Sequence, residues 1–199
     1  MLSRDPMVQE FILRWESMGG LSYLAEGRSE LIMSCQTVCR QVFESKDFRG
    51  GSPTVVYWND SEVSNLDWPT MKFDGVDVNW APWGGTMNMR QATADSVLAI
   101  TGCAWAVAST GSVALYSTSE TGLLPSVLAP YHLVLIRRDK LVSSVAEGLG
   151  RLKSSDVPPL VKIITGPSMT ADIEGILVTG VHGPGRVMAI IYETSATSA

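Results

Sequence analysis

Four apolar runs rich in β-branched residues constrain the fold of this chain more than any other feature. They are TVVYW at 54–58, HLVLIRR at 132–138, VKIIT at 161–165 and RVMAIIYE at 186–193. Short runs of this kind, bounded by Gly, Pro or polar residues, are typical of strands buried in a sheet. The segments that follow HLVLIRR and VKIIT show helical spacing. Strands that alternate with helices predict an α/β fold with a mostly parallel sheet and crossover helices.

Helices are predicted where apolar residues recur every three or four positions. The first holds Met7, Phe11, Trp15 and Met18 and stops at Gly19-Gly20. The others are predicted over residues 30–43, 94–101, 141–152 and 170–178. CAWAVA and SVALY are strand-like and flank Ser109-Thr110-Gly111, a tight-turn composition that predicts a hairpin.

Length and composition predict one ordinary globular domain over residues 1–199. The chain is 45% hydrophobic and 18% charged, with a net charge of −5, which argues against a nucleic-acid or anionic-membrane partner. No apolar stretch approaches the roughly 20 residues of a membrane span, and no signal peptide is recognised, so we expect a cytoplasmic protein. Three cysteines favour small buried side chains over disulfides. Residues 59–90 are predicted as an irregular connection, small lobe or edge element, and 194–199 as a frayed tail.

Residues 166–174, GPSMTADIE, are the first candidate for chemistry. If a strand ends at Thr165 and a helix follows, this is a strand-to-helix junction, where open α/β sheets bind ligands. Gly166 allows close backbone approach, and free amides at the helix start bind anions. Asp172 and Glu174 have two interpretations: they stabilise the helix start through its dipole, or they belong to a site.

The second candidate is GVHGPG at 180–185. His182 is either an acid, base or hydrogen-bond donor near neutral pH, or a loop anchor. The other histidine, His132, heads an apolar strand and is expected to pack or to form a strand-end hydrogen bond. Two histidines exclude a three-histidine metal site. The chain contains no GxSxG, GxxxxGKS, HExxH or GxGxxG motif, so no cofactor is predicted for the chain itself.

Three stretches and the closing strand together resemble one known family. The stretches are ITGCAWAVASTGSVAL at 100–115, LLPSVLAPYHLVLIRRDKLV at 123–142 and ITGPSMTADIEGILVTGVHGPG at 164–185. Over about residues 94–193 the chain resembles the LUD-domain family typified by lactate-utilization protein C. The resemblance implies a three-layer α/β/α fold like that of NagB, RpiA and the CoA transferases. It also implies a cytoplasmic role in oxidising lactate to pyruvate beside separate iron-sulfur proteins.

The resemblance also implies a set of site residues. Those predicted as catalytic are Asp172, Glu174 and His182, and those predicted to bind ligand are Thr110, Gly111, Gly166, Pro167, Ser168, Thr170, Gly183 and Pro184. Two positions depart from the family pattern: Ser109 replaces an acidic residue, and Met169 replaces an arginine. Two alternatives therefore stay open, an enzyme or binding protein for an anionic metabolite such as an acyl-CoA, sugar phosphate or hydroxy acid, and a divergent paralogue without the site.

Overall fold

A computed structural model describes residues 1–46, 48, 50–84, 88–152, 158–171, 177–180 and 182–193. In this part of the chain, six strands form a sheet in the order β1-β12-β7-β4-β2-β3, and every neighbouring pair is parallel. The strands are β1 (Leu21–Glu26), β2 (Thr54–Tyr57), β3 (Asn79–Pro82), β4 (Ser96–Thr101), β7 (Tyr131–Arg137) and β12 (Arg186–Glu193). The predicted α/β class with a mostly parallel sheet is confirmed.

In the part of the chain that the structure describes, helices lie between the strands in sequence. They are α1 (Pro6–Ser17), α2 (Arg28–Phe43), α3 (Ser61–Ser64), α4 (Met89–Ala94), α5 (Pro125–Leu128) and α6 (Val145–Gly150), with 3-10 turns at Leu2–Arg4, Trp68–Thr70 and Arg138–Lys140. At the start of α1 the Asp5 carboxylate accepts from the amides of Met7 and Val8, and Pro6 needs no partner. None of the described helices is long and apolar enough to cross a membrane.

Of the four residues that mark the predicted first helix, Phe11 and Trp15 are buried, Met7 is half-buried and Met18 is 40% exposed, and the predicted burial of the three cysteines is confirmed. Val8, Phe11 and Trp15 of α1 are buried, as are Trp58, Trp68 and Trp105. Cys35, Cys39 and Cys103 are free and buried. Burial raises the pKa of the Cys39 and Cys103 thiols to about 12, so all three behave as small apolar side chains at neutral pH.

A second sheet has the order β8-β5-β6-β9. Its strands are β5 (Trp105–Val107), β6 (Ser112–Tyr116), β8 (Leu141–Val142) and β9 (Val161–Ile164). β5 and β6 form the predicted antiparallel hairpin. The VKIIT strand exists, but it pairs antiparallel with β6 in this second sheet and does not join the parallel one.

Two predicted helices are wrong. Residues 96–101 form β4, a central strand, and the helix ends before them at Ala94. An apolar run buried on both faces has no alternating pattern, so its period is ambiguous between helix and strand. Within the predicted helix 170–178, the structure has two short antiparallel strands, β10 (Met169–Ala171) and β11 (Leu177–Thr179). Residues 172–176 lie outside the described residues.

Three other predictions of local structure need adjustment. The strand β1 is absent from the prediction, which passes from the Gly19-Gly20 stop to the second helix. The helix predicted over 141–152 is shorter, since its first two residues form β8. The segment 59–90 contains α3, a 3-10 turn and β3, and β3 is an edge strand of the parallel sheet.

Candidate functional site

The two Gly-Pro loops pack against each other through the backbone of Ser168. Its N–H donates to the carbonyl of Pro184 (2.9 Å), and its carbonyl accepts from the N–H of Gly180 (2.9 Å). A Cβ placed on Gly183 would lie 3.1 Å from Cβ of Ser168. The structure therefore brings together residues 166–168 and 183–184, which the sequence places at two separate loops.

The hairpin turn between β5 and β6 joins the same region through three hydroxyl groups. Thr110 Oγ1 donates to Ser112 Oγ (2.8 Å), which is 2.6 Å from Thr165 Oγ1. Thr165 immediately precedes Gly166. We call the turn 109–112, residues 165–168 and residues 182–184 together the amino-edge loops, because the last of them leads into the amino end of β12.

Two glycines among the amino-edge loops have a packing role against α1. A Cβ on Gly111, whose φ is +61°, would lie 2.4 Å from the backbone nitrogen of Trp15. A Cβ on Gly166, whose φ is +86°, would lie 2.6 Å from the carbonyl oxygen of Met18. Both positions need glycine for close approach and for a positive φ. Their presence in the sequence is thus explained by the fold, whatever they contribute to a ligand.

The location of these loops differs from the one that the sequence predicted. A strand-to-helix junction at the carboxyl edge of the sheet was expected, but residues 166–168 connect β9 to β10, and residues 182–184 precede β12. His182 is exposed. Thr170 lies in β10, and Asp172 and Glu174 lie outside the described residues, so the helix-dipole interpretation of the two acids has no helix at 169–171 to support it.

Ser109 and Met169, the two positions expected from the sequence to depart from the family pattern, are both at the surface. Ser109 is exposed, and the side chain of Met169 is 43% exposed. Neither position therefore lies in the core.

The carboxyl edge of the parallel sheet carries a second polar cluster that sequence reasoning missed. β2 and β4 are neighbours in the sheet. After β2 the chain continues to β3 on one side of this pair, and after β4 it continues to β7 on the other side. Such a switch point between adjacent strands is where open α/β sheets bind ligands. Six residues gather at this edge and form what we call the carboxyl-edge cluster: Asp60, Glu62, Cys103, Arg137, Asp139 and Lys140.

Ion pairs hold the carboxyl-edge cluster together. Glu62 pairs with the Lys140 ammonium and, at 2.9 Å, with Nη1 of Arg137. Arg137 also makes a two-pronged contact with Asp139, with Nε 2.6 Å from Oδ1. Lys140 Nζ donates to the carbonyl of Cys103 (2.6 Å). The positive charges of Arg137 and Lys140 are thus already paired with carboxylates of the same cluster.

Burial and neighbouring charges have opposite effects on the pKa values of this cluster. Burial raises the pKa of Asp60. For Lys140, burial lowers the pKa, but its interactions with Cys103, Glu62 and Asp60 outweigh burial and raise the pKa overall. A cavity of about 220 Å³ adjoins the cluster and is lined by Glu62, Arg137 and Tyr192 among others. This arrangement accommodates a small polar molecule, and the charge run Arg137-Arg138-Asp139-Lys140 was its only signal in the sequence.

His132 has the predicted strand-end hydrogen bond and lies in the interior. Its Nε2 is 2.9 Å from Thr101 Oγ1, and in the described part of the chain its buried Nδ1 has no hydrogen-bond partner. Burial, with a smaller contribution from the charge of Lys162, lowers the pKa of His132 from 6.5 to about 3. The imidazole is therefore neutral at physiological pH.

We expect His132 to make the protein about 2 kcal/mol less stable at pH 5 than at pH 7. Between pH 6.5 and 3 the unfolded chain binds a proton at this residue that the folded chain does not bind. The stabilisation is therefore complete above pH 6.5 and is lost as the pH falls toward 3. Urea unfolding at both pH values measures it. His132→Gln should flatten this difference and His182→Gln should keep it; an unchanged difference in His132→Gln would assign it to other groups.

The fold and its two polar edges define an α/β protein with a parallel six-stranded sheet and a second, mixed sheet built on a β-hairpin. The chain belongs to the LUD domain family, whose model matches residues 8–192. This confirms the resemblance read from the sequence. A crystal structure of a DUF162 family protein from Deinococcus radiodurans has the same fold, with a TM-score of 0.61 at 18% identity over 94% of this chain and 96% of that one.

Curated relatives of the chain include proteins named lactate utilization protein C. Lactate utilization protein C of Deinococcus radiodurans is 39% identical over 101 residues, which are 49% of this chain and 46% of the relative. Lactate utilization protein C of Geobacillus sp. (strain WCH70) is 30% identical over 156 residues, 71% and 63%. Uncharacterized protein YkgG of Escherichia coli (strain K12) is 35% identical over 121 residues, 58% and 52%. The matches span about half to two thirds of the length of these relatives.

Proposed function

We propose that this chain is a lactate-utilization protein C-like component of a cytoplasmic system that oxidises lactate to pyruvate. The observation that carries the proposal is membership of the LUD domain family over residues 8–192, with several curated relatives named lactate utilization protein C. The chain has no recognisable motif for a flavin or an iron-sulfur cluster. In this proposal the electrons therefore pass to separate iron-sulfur proteins that act beside it.

The amino-edge loops are the site that we propose for this function. Their adjacency supports it, because Ser168 bonds to Pro184 and Thr165 to Ser112. In the proposed site Asp172, Glu174 and His182 carry the chemistry. The backbone and hydroxyl groups of these loops, together with Thr170 of β10, hold a small anionic metabolite. The residues are Thr110, Gly111, Gly166, Pro167, Ser168, Thr170, Gly183 and Pro184. An exposed His182 leaves room for a ligand or a partner surface at this edge.

The test restores a tagged copy of the chain to a native host from which its gene has been deleted. We expect the wild type to restore growth on lactate and to recover iron-sulfur proteins when it is purified anaerobically. His182→Ala should stay folded, because this side chain is exposed, but should not restore growth. Glu193→Ala, also exposed but at the carboxyl end of β12, on the opposite edge of the sheet from the amino-edge loops, is the control that should restore it.

Two outcomes would contradict the proposal at different levels. Growth on lactate that needs no copy of the chain, together with purifications free of iron-sulfur proteins, would refute the function. Normal growth with His182→Ala, while the deletion strain fails, would keep the function and refute the role of His182. The circular dichroism spectrum of each variant shows that a loss of growth is not a loss of fold.

A further inference from the structure

A cavity of about 600 Å³ shares none of its described lining residues with the two polar edges described above. It is bounded by the residue that follows β3, by the connection after β6, by α5 and by the start of β9. Its lining is Trp83, Ser117, Thr118, Gly122, Leu123, Leu124, Val127, Leu160, Val161 and Lys162. The volume lies in the range of small-molecule pockets, and the walls are mostly apolar with few polar groups, as such pockets usually are.

The wall of this cavity is held in place by its own hydrogen bonds. Trp58 Nε1 donates to the carbonyl of Gly122 (2.7 Å). The hydroxyls of Thr118 and Thr121 lie 2.8 Å apart, and Thr121 Oγ1 donates to the carbonyl of Tyr116 (2.9 Å). Because these polar groups already have partners, the surface that they present is preformed, and little ordering is needed when a ligand enters.

Among the described residues that line this cavity, Lys162 is the one charged residue, and the hydrogen-bond acceptors of its ammonium are neutral. Its Nζ donates to the carbonyl of Ser126 (2.8 Å) and to Ser126 Oγ (3.1 Å). Across the residues that the structure describes, no carboxylate forms an ion pair with this ammonium. Burial lowers its pKa. A half-buried cation with only neutral acceptors gains stability from an anionic partner.

We propose that this cavity binds a medium-chain monocarboxylate, with the carboxylate on Lys162 and the hydrocarbon chain against Leu123, Leu124 and Leu160. We infer a monocarboxylate with a hydrocarbon chain because the described lining has one cation, Lys162, at an otherwise mostly apolar wall. A three-carbon hydroxy acid would reach Lys162 but would leave most of the apolar wall uncovered. A dianion or a phosphate would lack a second cation among the lining residues that the structure describes. The site is separate from the amino-edge loops and does not rest on the proposed function.

The test is calorimetric titration of the full chain at pH 7.5 with butyrate, hexanoate, octanoate and decanoate, each below its micelle concentration. We expect the affinity to rise about fourfold for each added methylene until the cavity is filled. Octanol has a comparable tail without the charge and should bind at least tenfold more weakly than octanoate. Equal affinity for octanol and octanoate, or no dependence on chain length, would overturn the proposal.

Variants separate the charge from the apolar wall. Lys162→Met should weaken octanoate binding at least tenfold and leave octanol unchanged, whereas Lys162→Arg should retain octanoate binding. Leu160→Trp fills part of the cavity from a residue that is 58% exposed and should weaken both ligands. Leu149→Trp, at a leucine 48% exposed on α6, is the matched control and should change neither. Wild-type affinity in both Lys162→Met and Leu160→Trp would place any binding elsewhere.

Discussion

Gly111→Ala is expected to lower the free energy of unfolding by about 4 kcal/mol. The residue has φ +61°, which costs an L-residue roughly 1–2 kcal/mol. The new methyl would also lie 2.4 Å from the backbone nitrogen of Trp15, and overpacking typically adds about 1–3 kcal/mol. Backbone atoms of a helix cannot move aside as a flexible side chain can. Urea unfolding followed by tryptophan fluorescence measures the change.

Gly75→Ala is the matched control for this prediction. Gly75 has a similar φ of +73°, but a Cβ there would meet nothing within 4 Å. It should therefore show the backbone cost alone, about 1–2 kcal/mol. The difference between the two variants isolates the contact between the hairpin turn and α1. If Gly111→Ala were no worse than Gly75→Ala, that contact would not constrain the hairpin, and a ligand-binding role would be the better explanation of this glycine.

Glu62→Gln is expected to destabilise the protein by about 3 kcal/mol, because it leaves two cations of the carboxyl-edge cluster without their shared counter-ion. The side chains of Glu62 and Lys140 are each only 18% exposed, so water compensates little for the lost charge. Glutamine has nearly the same volume as glutamate, which confines the change to electrostatics. Lys140 would keep its bond to the carbonyl of Cys103, and Arg137 would keep Asp139.

A double-mutant cycle with Lys140→Met tests whether the loss comes from the pair. We expect the double variant to be more stable than the sum of the single losses, because it leaves no uncompensated ammonium beside the sheet. Glu147→Gln removes half of an exposed ion pair with Arg151 and should leave the midpoint of unfolding nearly unchanged. Additive losses in the cycle would show that Glu62 and Lys140 act independently.

The residues of the two Gly-Pro loops could be identified from the sequence, but their position relative to the parallel sheet could not. The stretches 166–168 and 182–184 stand out by their Gly-Pro pairs, and the structure places them in contact. Their position relative to the parallel sheet could not be predicted, because it depends on β9 pairing with β6 and on β10 pairing with β11. Three-residue strands have too few positions to show a periodicity that differs from a short helix.

The carboxyl-edge cluster shows a different reason why a site cannot be predicted from the sequence. Glu62 and Lys140 are 78 residues apart in the sequence, and Glu62 lies in the segment where no regular element was predicted. Nothing local marks it, since a glutamate in a polar, turn-rich stretch is most often solvated. Only the order of β2, β4 and β7 in the sheet brings this glutamate to a lysine that follows β7.

The sequence by itself determined the α/β class, the β5-β6 hairpin, the two strands β7 and β12, the burial of the cysteines and the family. These features depend on runs of apolar residues, on turn composition and on quoted motifs, all of which are local. The tertiary structure alone decided which sheet β9 joins, which edge each loop occupies and which charges meet. Those outcomes depend on contacts between residues far apart in the chain, and such contacts form only when the strand order is set.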